Sequence, residues 1–270
     1  MQKDDFSRNK LNANSAPKCQ SILNFLAKVS PWWRCAICVR TLVSTIIPPR
    51  EELLCKRCSI EVNKLHYHQS WQSLNDSTST PIILLYKYKK EIRSLIHKMK
   101  YGHDRRVAQF FGKKLAEILA EVMTSKSTRK LIPDNKPWDI IVPVPHLPHH
   151  IFRRGFKPTS LIAQSFCKNF SQLTHTPELP IRPILACRWW SWRSVTHTTL
   201  DERHSLIKLR FYLRSTKYSL ANKRVLLIDD VSTSGSTIKV NTELLRSQGA
   251  SVEIAIIACS RMDILKQLSF

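Results

Sequence analysis

An α/β fold is predicted: a parallel sheet flanked by helices, preceded by a small metal-binding module near the N-terminus. Three observations predict it. After Pro81 the apolar pattern alternates between short branched runs and helical periodicity, which requires parallel strands joined by crossovers. Four cysteines punctuate a short stretch that has neither helical nor strand period. Near the C-terminus, a buried-strand run ends in two aspartates and a hydroxyl-rich turn.

The 270 residues allow one large domain with a small appendage. The expected division is a tail over 1–31, a four-cysteine module over 32–70, a linker over 71–80 and the α/β domain over 81–270. Hydrophobic residues make up 43% and charged residues 23%, an ordinary globular balance that argues against wholesale disorder. No run approaches ~18 apolar residues, so no spanning helix is expected. The polar start, with Asp4 and Asp5, lacks the basic-then-apolar order of a secretory signal, so the expected location is cytoplasmic. The net charge of +23 creates a field that attracts polyanions, whether nucleic acid, membrane surface or phosphorylated small molecules. Glycine is scarce, with five residues, so each one needs a local reason.

Taken in order, Ile82 to Tyr88 reads as a strand. Glu91 to Lys100 reads as a helix, with Ile92, Leu95, Ile96 and Met99 on one face. Asp104 is placed to cap a second helix through Val107, Phe111, Leu115, Ile118 and Val122. Trp138 to Val144 is a short apolar run ended by prolines, and Thr159 to Phe170 is helical. Arg224 to Ile228 is a strand, Thr237 to Gln248 a helix stopped by Gly249, and Val252 to Ala258 a further strand.

Cys35, Cys38, Cys55 and Cys58 spell C-x2-C-x16-C-x2-C. Each C-x-x-C turn points two thiolates at one ion, and two such turns complete a tetrahedron. Structural zinc is expected, since disulfides do not suit a cytoplasmic chain and a region this small lacks a sufficient core of its own. Cys19, Cys167, Cys187 and Cys259 have no such spacing and read as ordinary thiols, and His66 and His68 read as exposed.

The second motif is Val225-Leu-Leu-Ile-Asp-Asp-Val-Ser-Thr-Ser-Gly-Ser-Thr237. A helix N-terminus after a strand presents unpaired N–H groups and a positive dipole end, which suits phosphate. Thr233, Ser234, Ser236 and Thr237 add hydroxyls, and Gly235 lets the backbone approach a ligand closely. A phosphate would repel Asp229 and Asp230, so they are expected to face sugar hydroxyls or a bound Mg2+.

This segment resembles the phosphoribosyl-diphosphate signature of type I phosphoribosyltransferases, with Ser234 where a second Thr is usual. The order of the four-cysteine module, Lys98-Met-Lys-Tyr-Gly102, Ile141-Val-Pro-Val-Pro145, Arg153-Arg-Gly-Phe156 and the loop is similar to the ComF family, phosphoribosyltransferase-like proteins associated with competence. The resemblance implies a type I phosphoribosyltransferase-like sheet that binds phosphoribosyl diphosphate with Mg2+. It implies that Asp229 and Asp230 hold the ribose hydroxyls and that the residues Val231, Ser232, Thr233, Ser234, Gly235, Ser236 and Thr237 form the loop, with Thr233 through Thr237 around the 5-phosphate. The Val-Pro-Val-Pro turn with Arg153, Arg154 and Gly155 would meet the pyrophosphate, as two guanidiniums beside a glycine turn are able to fork onto phosphate oxygens. One stretch departs from the family pattern: Glu202-Arg203 and Phe211 remain, while the usual Gln, Asn and Gly-Ala are replaced around His197, Leu200, Leu206 and Leu209-Arg210.

His146, His149 and His150 near the proline-rich turn are expected to face solvent. Lys87, Lys89, Lys90, Arg93, Lys98, Lys100, Arg105 and Arg106 form a basic run, and Trp189, Trp190 and Trp192 are interleaved with Arg193, Arg203, Lys208 and Arg210. Cations that track a backbone beside stacking rings suit single-stranded DNA. Two functional classes therefore stand at this point. One is a Mg2+-dependent phosphoribosyltransferase, and the other a non-catalytic scaffold that handles single-stranded DNA, alone or with other competence proteins.

Overall fold

The computed structural model describes residues 34–40, 42, 53–66, 80–124, 137–188, 208–215 and 218–260. They fall into two compact units divided between Ile60 and Glu61. In the first, the amide of Ala36 donates to the carbonyl of Leu53 (2.9 Å) and that of Cys35 to Arg40 (2.8 Å). The first ties the Cys35–Cys38 turn to the chain that precedes Cys55, and the second closes the turn on itself. Helix α1 (Lys56–Asn63) starts directly after Cys55. Cys35, Ala36, Leu42, Leu53, Leu54 and Cys58 are buried, which is little apolar surface for a unit of this size.

The second unit is built on a four-stranded, all-parallel sheet. Its strands are β1 (Ile82–Lys87), β2 (Ile140–Pro143), β5 (Arg224–Ser232) and β6 (Ser251–Cys259), in the order β1-β6-β5-β2. The expected parallel α/β architecture is present. Strand interiors read as continuous apolar runs because both faces are covered. Val225 and Leu227 of β5 and Val252, Ile254 and Ile256 of β6 face one side, where Ile238 and Leu245 of α6 (Ser236–Arg246) join the same core. Side chains alternate along a strand, so Leu226, Ile228 and Asp230 face the other side.

The helices α2 (Lys90–Tyr101), α3 (Arg105–Thr124), α4 (Pro148–Arg154) and α5 (Pro158–Thr174) lie between β1 and β3 in the chain. Asp104 caps α3, its Oδ1 accepting from the amide of Arg106 (3.1 Å). A Cβ on Gly112 would sit 2.4 Å from the carbonyl oxygen of Ile162 and 2.6 Å from Cβ of Ser165. The lack of a side chain there lets α3 and α5 pack backbone to backbone. On the α5 side of the sheet, Trp138 packs edge-on and tilted against Phe166 and Phe170 and donates Nε1–H to Glu253 (2.8 Å), whose second oxygen pairs with Arg224 (2.7 Å). A buried carboxylate in a central strand is thus both hydrogen-bonded and charge-matched. Strands β3 (Leu185–Cys187) and β4 (Phe211–Leu213) form a separate antiparallel pair that the sequence pattern does not announce.

Strand β5 is longer than expected. It continues through Asp229, Asp230 and Val231 to Ser232, and β6 stays paired with it as far as Ser232–Cys259. On the other side the last pair with β2 is Pro143–Ile228, after which Val144 makes one more bond to the Ile228 carbonyl (2.9 Å). Beyond that bond β2 no longer flanks β5, and Asp229 and Asp230 stand at the carboxyl end of the strand, where ligands of open parallel sheets bind. Among the described residues no helix is long and apolar enough to cross a membrane.

Candidate functional site

Two residues past the end of the β2–β5 pairing, Asp230 is buried at 3% exposure, with a lysine and a histidine against its carboxylate. Lys100, from the last turn of α2, donates Nζ–H to its Oδ1 at 2.8 Å. His146, just after the Val-Pro-Val-Pro turn, brings Nε2 to 3.5 Å from Oδ2, and Oδ2 has no hydrogen-bond partner. Burial raises the carboxyl's pKa, but the charge and hydrogen bond of Lys100, with His146 close by, outweigh this and hold Asp230 well below the usual carboxylate range. Asp229 is its opposite. Burial first, and then the Asp230 charge, push it up to about 7, and its Oδ1 accepts the Asp230 amide (2.8 Å). Two adjacent acids therefore differ in charge tendency because only one has an ammonium beside it.

The loop follows directly. Ser232 is buried with an unpartnered Oγ on the same strand face as Asp230. Gly235 takes φ 71°, a left-handed conformation open to glycine, and serves as N-cap of α6 with no side-chain cap. The N–H groups of the first turn of α6 consequently have no cap from a side chain and point out of the helix end. Ser234 and Ser236 hydroxyls lie 3.1 Å apart at this mouth, and Thr233 is exposed. Backbone donors, hydroxyls and a positive dipole end together make an anion cradle.

Arg153 and Arg154 part company. Arg153 is exposed, whereas Arg154 is buried at 7% and donates Nε–H to the Lys100 carbonyl (3.1 Å), with its guanidinium over the Tyr101 ring (5.9 Å). Its own carbonyl lies 3.0 Å from Nδ1 of His103, so Arg154 ties the α4 end to the α2 end. Gly155 closes α4 in the left-handed region at φ 70°. Thr159 donates to the Val144 carbonyl (2.7 Å) and lies 3.3 Å from Nδ1 of His146, which fixes that ring toward Asp230. His146 is therefore not the solvent-facing group expected; only 12% of its side chain is exposed. His149 is exposed, and His150, half-buried and crowded by cations, has its pKa lowered to about 4, by burial first.

In the first unit the four cysteines do come together. Their sulfurs all lie within 4.8 Å of one another, with Cys38 and Cys55 Sγ 3.6 Å apart. A tetrahedron with Zn–S near ~2.3 Å has edges of about 3.8 Å, so the cluster has the size of a thiolate cage and not the ~2.05 Å of a disulfide. Burial raises the Cys35 thiol, yet amides at Cys38, Cys55 and Ile37 outweigh it and bring it down to about 7, while burial and its neighbours push Cys58 up. Sulfurs this close would need a cation between them to be ionised together. Cys167 and Cys187 are each pushed up to about 12, by burial first, as suits inert thiols.

A third feature lies on the exposed face of α2. A groove of about 600 Å³ is lined by Tyr88, Lys89, Lys90, Arg93, Ser94, His97 and Lys98, with no acidic residue among them. Trp189, Trp190, Trp192, Arg193, His197, Leu200, Glu202, Arg203 and Leu206 lie outside the described residues, as do Cys19, His68, the tail over 1–31 and residues 71–79 of the linker.

Similarity to known proteins bears on the same segment. A family profile described as the phosphoribosyl transferase domain matches residues 190–266, a span that contains β5, the loop, α6 and β6. The DNA utilization protein YhgH of Escherichia coli K12 is 24% identical over 227 residues, covering 82% of this chain and 87% of that protein. Competence protein F of Haemophilus influenzae is 25% identical over 209 residues, covering 77% and 84%. Among solved structures, the glutamine phosphoribosylpyrophosphate amidotransferase of B. subtilis aligns over 57% of this chain, which spans about a quarter (26%) of that one, at 16% identity and a TM-score of 0.34. A hypoxanthine phosphoribosyltransferase from Staphylococcus aureus aligns over 56% of this chain and 61% of its own, at 18% identity and a TM-score of 0.32.

Proposed function

Since the chain belongs to the ComF family of phosphoribosyltransferase-domain proteins, we propose that it binds phosphoribosyl diphosphate with Mg2+ at the carboxyl end of β5, in the service of DNA uptake or use. One observation carries the reading. Asp230 Oδ2 and Ser232 Oγ are buried without hydrogen-bond partners on one strand face, directly before an uncapped helix N-terminus. Buried polar atoms left unpaired are costly, and a ligand that carries hydroxyls at one end and a phosphate at the other satisfies both sets.

In this reading Asp229 and Asp230 take the ribose hydroxyls. Val231 through Thr237 wrap the 5-phosphate, with donors from the α6 amides and the hydroxyls of Thr233, Ser234, Ser236 and Thr237. The exposed Arg153 and the turn braced by Arg154 meet the diphosphate. Asp229 and Asp230 also suit Mg2+, which takes one or two carboxylates together with substrate phosphates and, when bound, neutralises charge on the leaving diphosphate. Transfer to an acceptor would break the bond from C1 to diphosphate, and the cations around the turn would stabilise the charge that develops. Cys35, Cys38, Cys55 and Cys58 hold a structural zinc, and free thiols at this spacing suit the cytoplasm.

A second reading, a non-catalytic scaffold for single-stranded DNA, draws on the basic groove along α2. Calorimetric titration of phosphoribosyl diphosphate with Mg2+ into the zinc-loaded protein separates the two. The first reading expects saturable binding that an Asp229→Asn/Asp230→Asn variant loses. A folded wild type that ignores this ligand but binds oligonucleotide with affinity falling steeply as salt rises would replace it with the second.

A further inference from the structure

Lys100 occupies the junction of the two halves of this site. Its Nζ is 2.8 Å from the carboxylate assigned to ribose, while its backbone carbonyl is held by Arg154 Nε (3.1 Å) from the turn assigned to the diphosphate. The backbone is pinned, but the side chain is 20% exposed, against 5% for Asp230. It is a four-carbon arm on a fixed pivot, with its charged end on Asp230 and part of its length open to solvent. Without a ligand, its charge matches the buried Asp230 carboxylate. A ligand that brings a diphosphate to the turn presents several negative oxygens, more charge than one carboxylate, within reach of a side chain rooted at that turn.

We propose that Lys100 is a further ligand-binding and specificity-determining residue. Its ammonium rests on Asp230 in the free protein and moves to the diphosphate on binding, so that the site selects a ribose 5-phosphate bearing a diphosphate at C1 over one bearing a hydroxyl. No bond is made or broken; the exchange swaps one ion pair for another. Ribose 5-phosphate has nothing to draw the ammonium away, so its hydroxyls compete with Lys100 for Asp230. The inference rests on the proposed ligand and extends it to a group that other readings of a basic helix would leave on the surface.

The test compares wild type with Lys100→Met and Lys100→Arg, titrating phosphoribosyl diphosphate and ribose 5-phosphate separately into the Mg2+- and zinc-loaded protein. Removing a charge-assisted hydrogen bond to the diphosphate is expected to weaken phosphoribosyl diphosphate binding by about 10- to 100-fold in Lys100→Met. Ribose 5-phosphate is expected to bind Lys100→Met as well as wild type or a few-fold more tightly. Lys100→Arg should restore most of the preference. Equal weakening of both ligands in Lys100→Met, with its fold verified by circular dichroism, would make Lys100 a structural brace and overturn the proposal, as would an unchanged affinity for both. Failure of wild type to bind either ligand would instead overturn the assignment of the site itself.

Discussion

Chelation of the metal is expected to unfold the Cys35–Ile60 region outright. The buried apolar groups described there amount to two cysteines, an alanine and three leucines, a core far too small to offset the entropy of ordering the chain. The cross-connections are a few backbone bonds, each with a net worth of roughly 1 kcal/mol. Zinc held by four thiolates contributes on the order of 10–16 kcal/mol at neutral pH, comparable to the whole stability of an ordinary domain. Metal analysis should therefore find one zinc per chain. Stripping it, or replacing Cys35 and Cys58 with serine, should bring the amides of Cys35, Ala36 and Ser59 to unprotected exchange rates. Protection that survives full removal of metal would show that the sulfurs are held together by something else.

Asp229→Asn should make the protein more stable above neutral pH while removing ligand binding. The wild-type carboxyl is raised to about 7 in the folded chain, chiefly by burial, against ~3.9 in an unfolded one. Below about pH 4 both states carry the proton and the residue is neutral toward stability. As the pH rises from about 4 to about 7, the unfolded chain releases its proton while the folded chain keeps it, and folding loses up to about 4 kcal/mol. Asparagine avoids that loss and retains the oxygen that accepts the Asp230 amide. Its advantage in urea unfolding should be largest at pH 8 and vanish near pH 4. Asp230→Asn should behave in the opposite way, because it leaves Lys100 without its carboxylate partner. An Asp229→Asn protein that is less stable than wild type at pH 8 would contradict the electrostatic account of the pair.

Much of this site lies in local sequence. The run from Val225 to Ile228 is apolar and branched enough to commit to a buried strand, and the two aspartates and the hydroxyl-rich turn around Gly235 follow it directly. The four cysteines are legible for the same reason, since each C-x-x-C turn is a local object and only the closure of two turns is not. What escapes is whatever depends on distant partners. Lys100 and Asp230 are 130 residues apart, and neither the Lys98-Met-Lys-Tyr-Gly102 motif nor the basic run around it announces that the two meet. His146 reads as a loop histidine because nothing nearby announces Thr159 or the distant Asp230. Arg153 and Arg154 are adjacent, and only the packing of α4 against the α2 end decides which one turns inward. Gly112 has no motif around it, and its reason is the close crossing of another helix. The β3–β4 pair is three residues a side, too short for alternation to register.

Amide hydrogen exchange with and without phosphoribosyl diphosphate and Mg2+ tests the central claim most directly, because it locates the ligand on the chain. The account predicts that saturating ligand slows exchange in the segment 232–239, where the α6 amides receive the 5-phosphate, and leaves the outer face of α2 at 89–98 unchanged. Slowed exchange confined to 89–98, or none in 232–239 at saturating ligand, would contradict it.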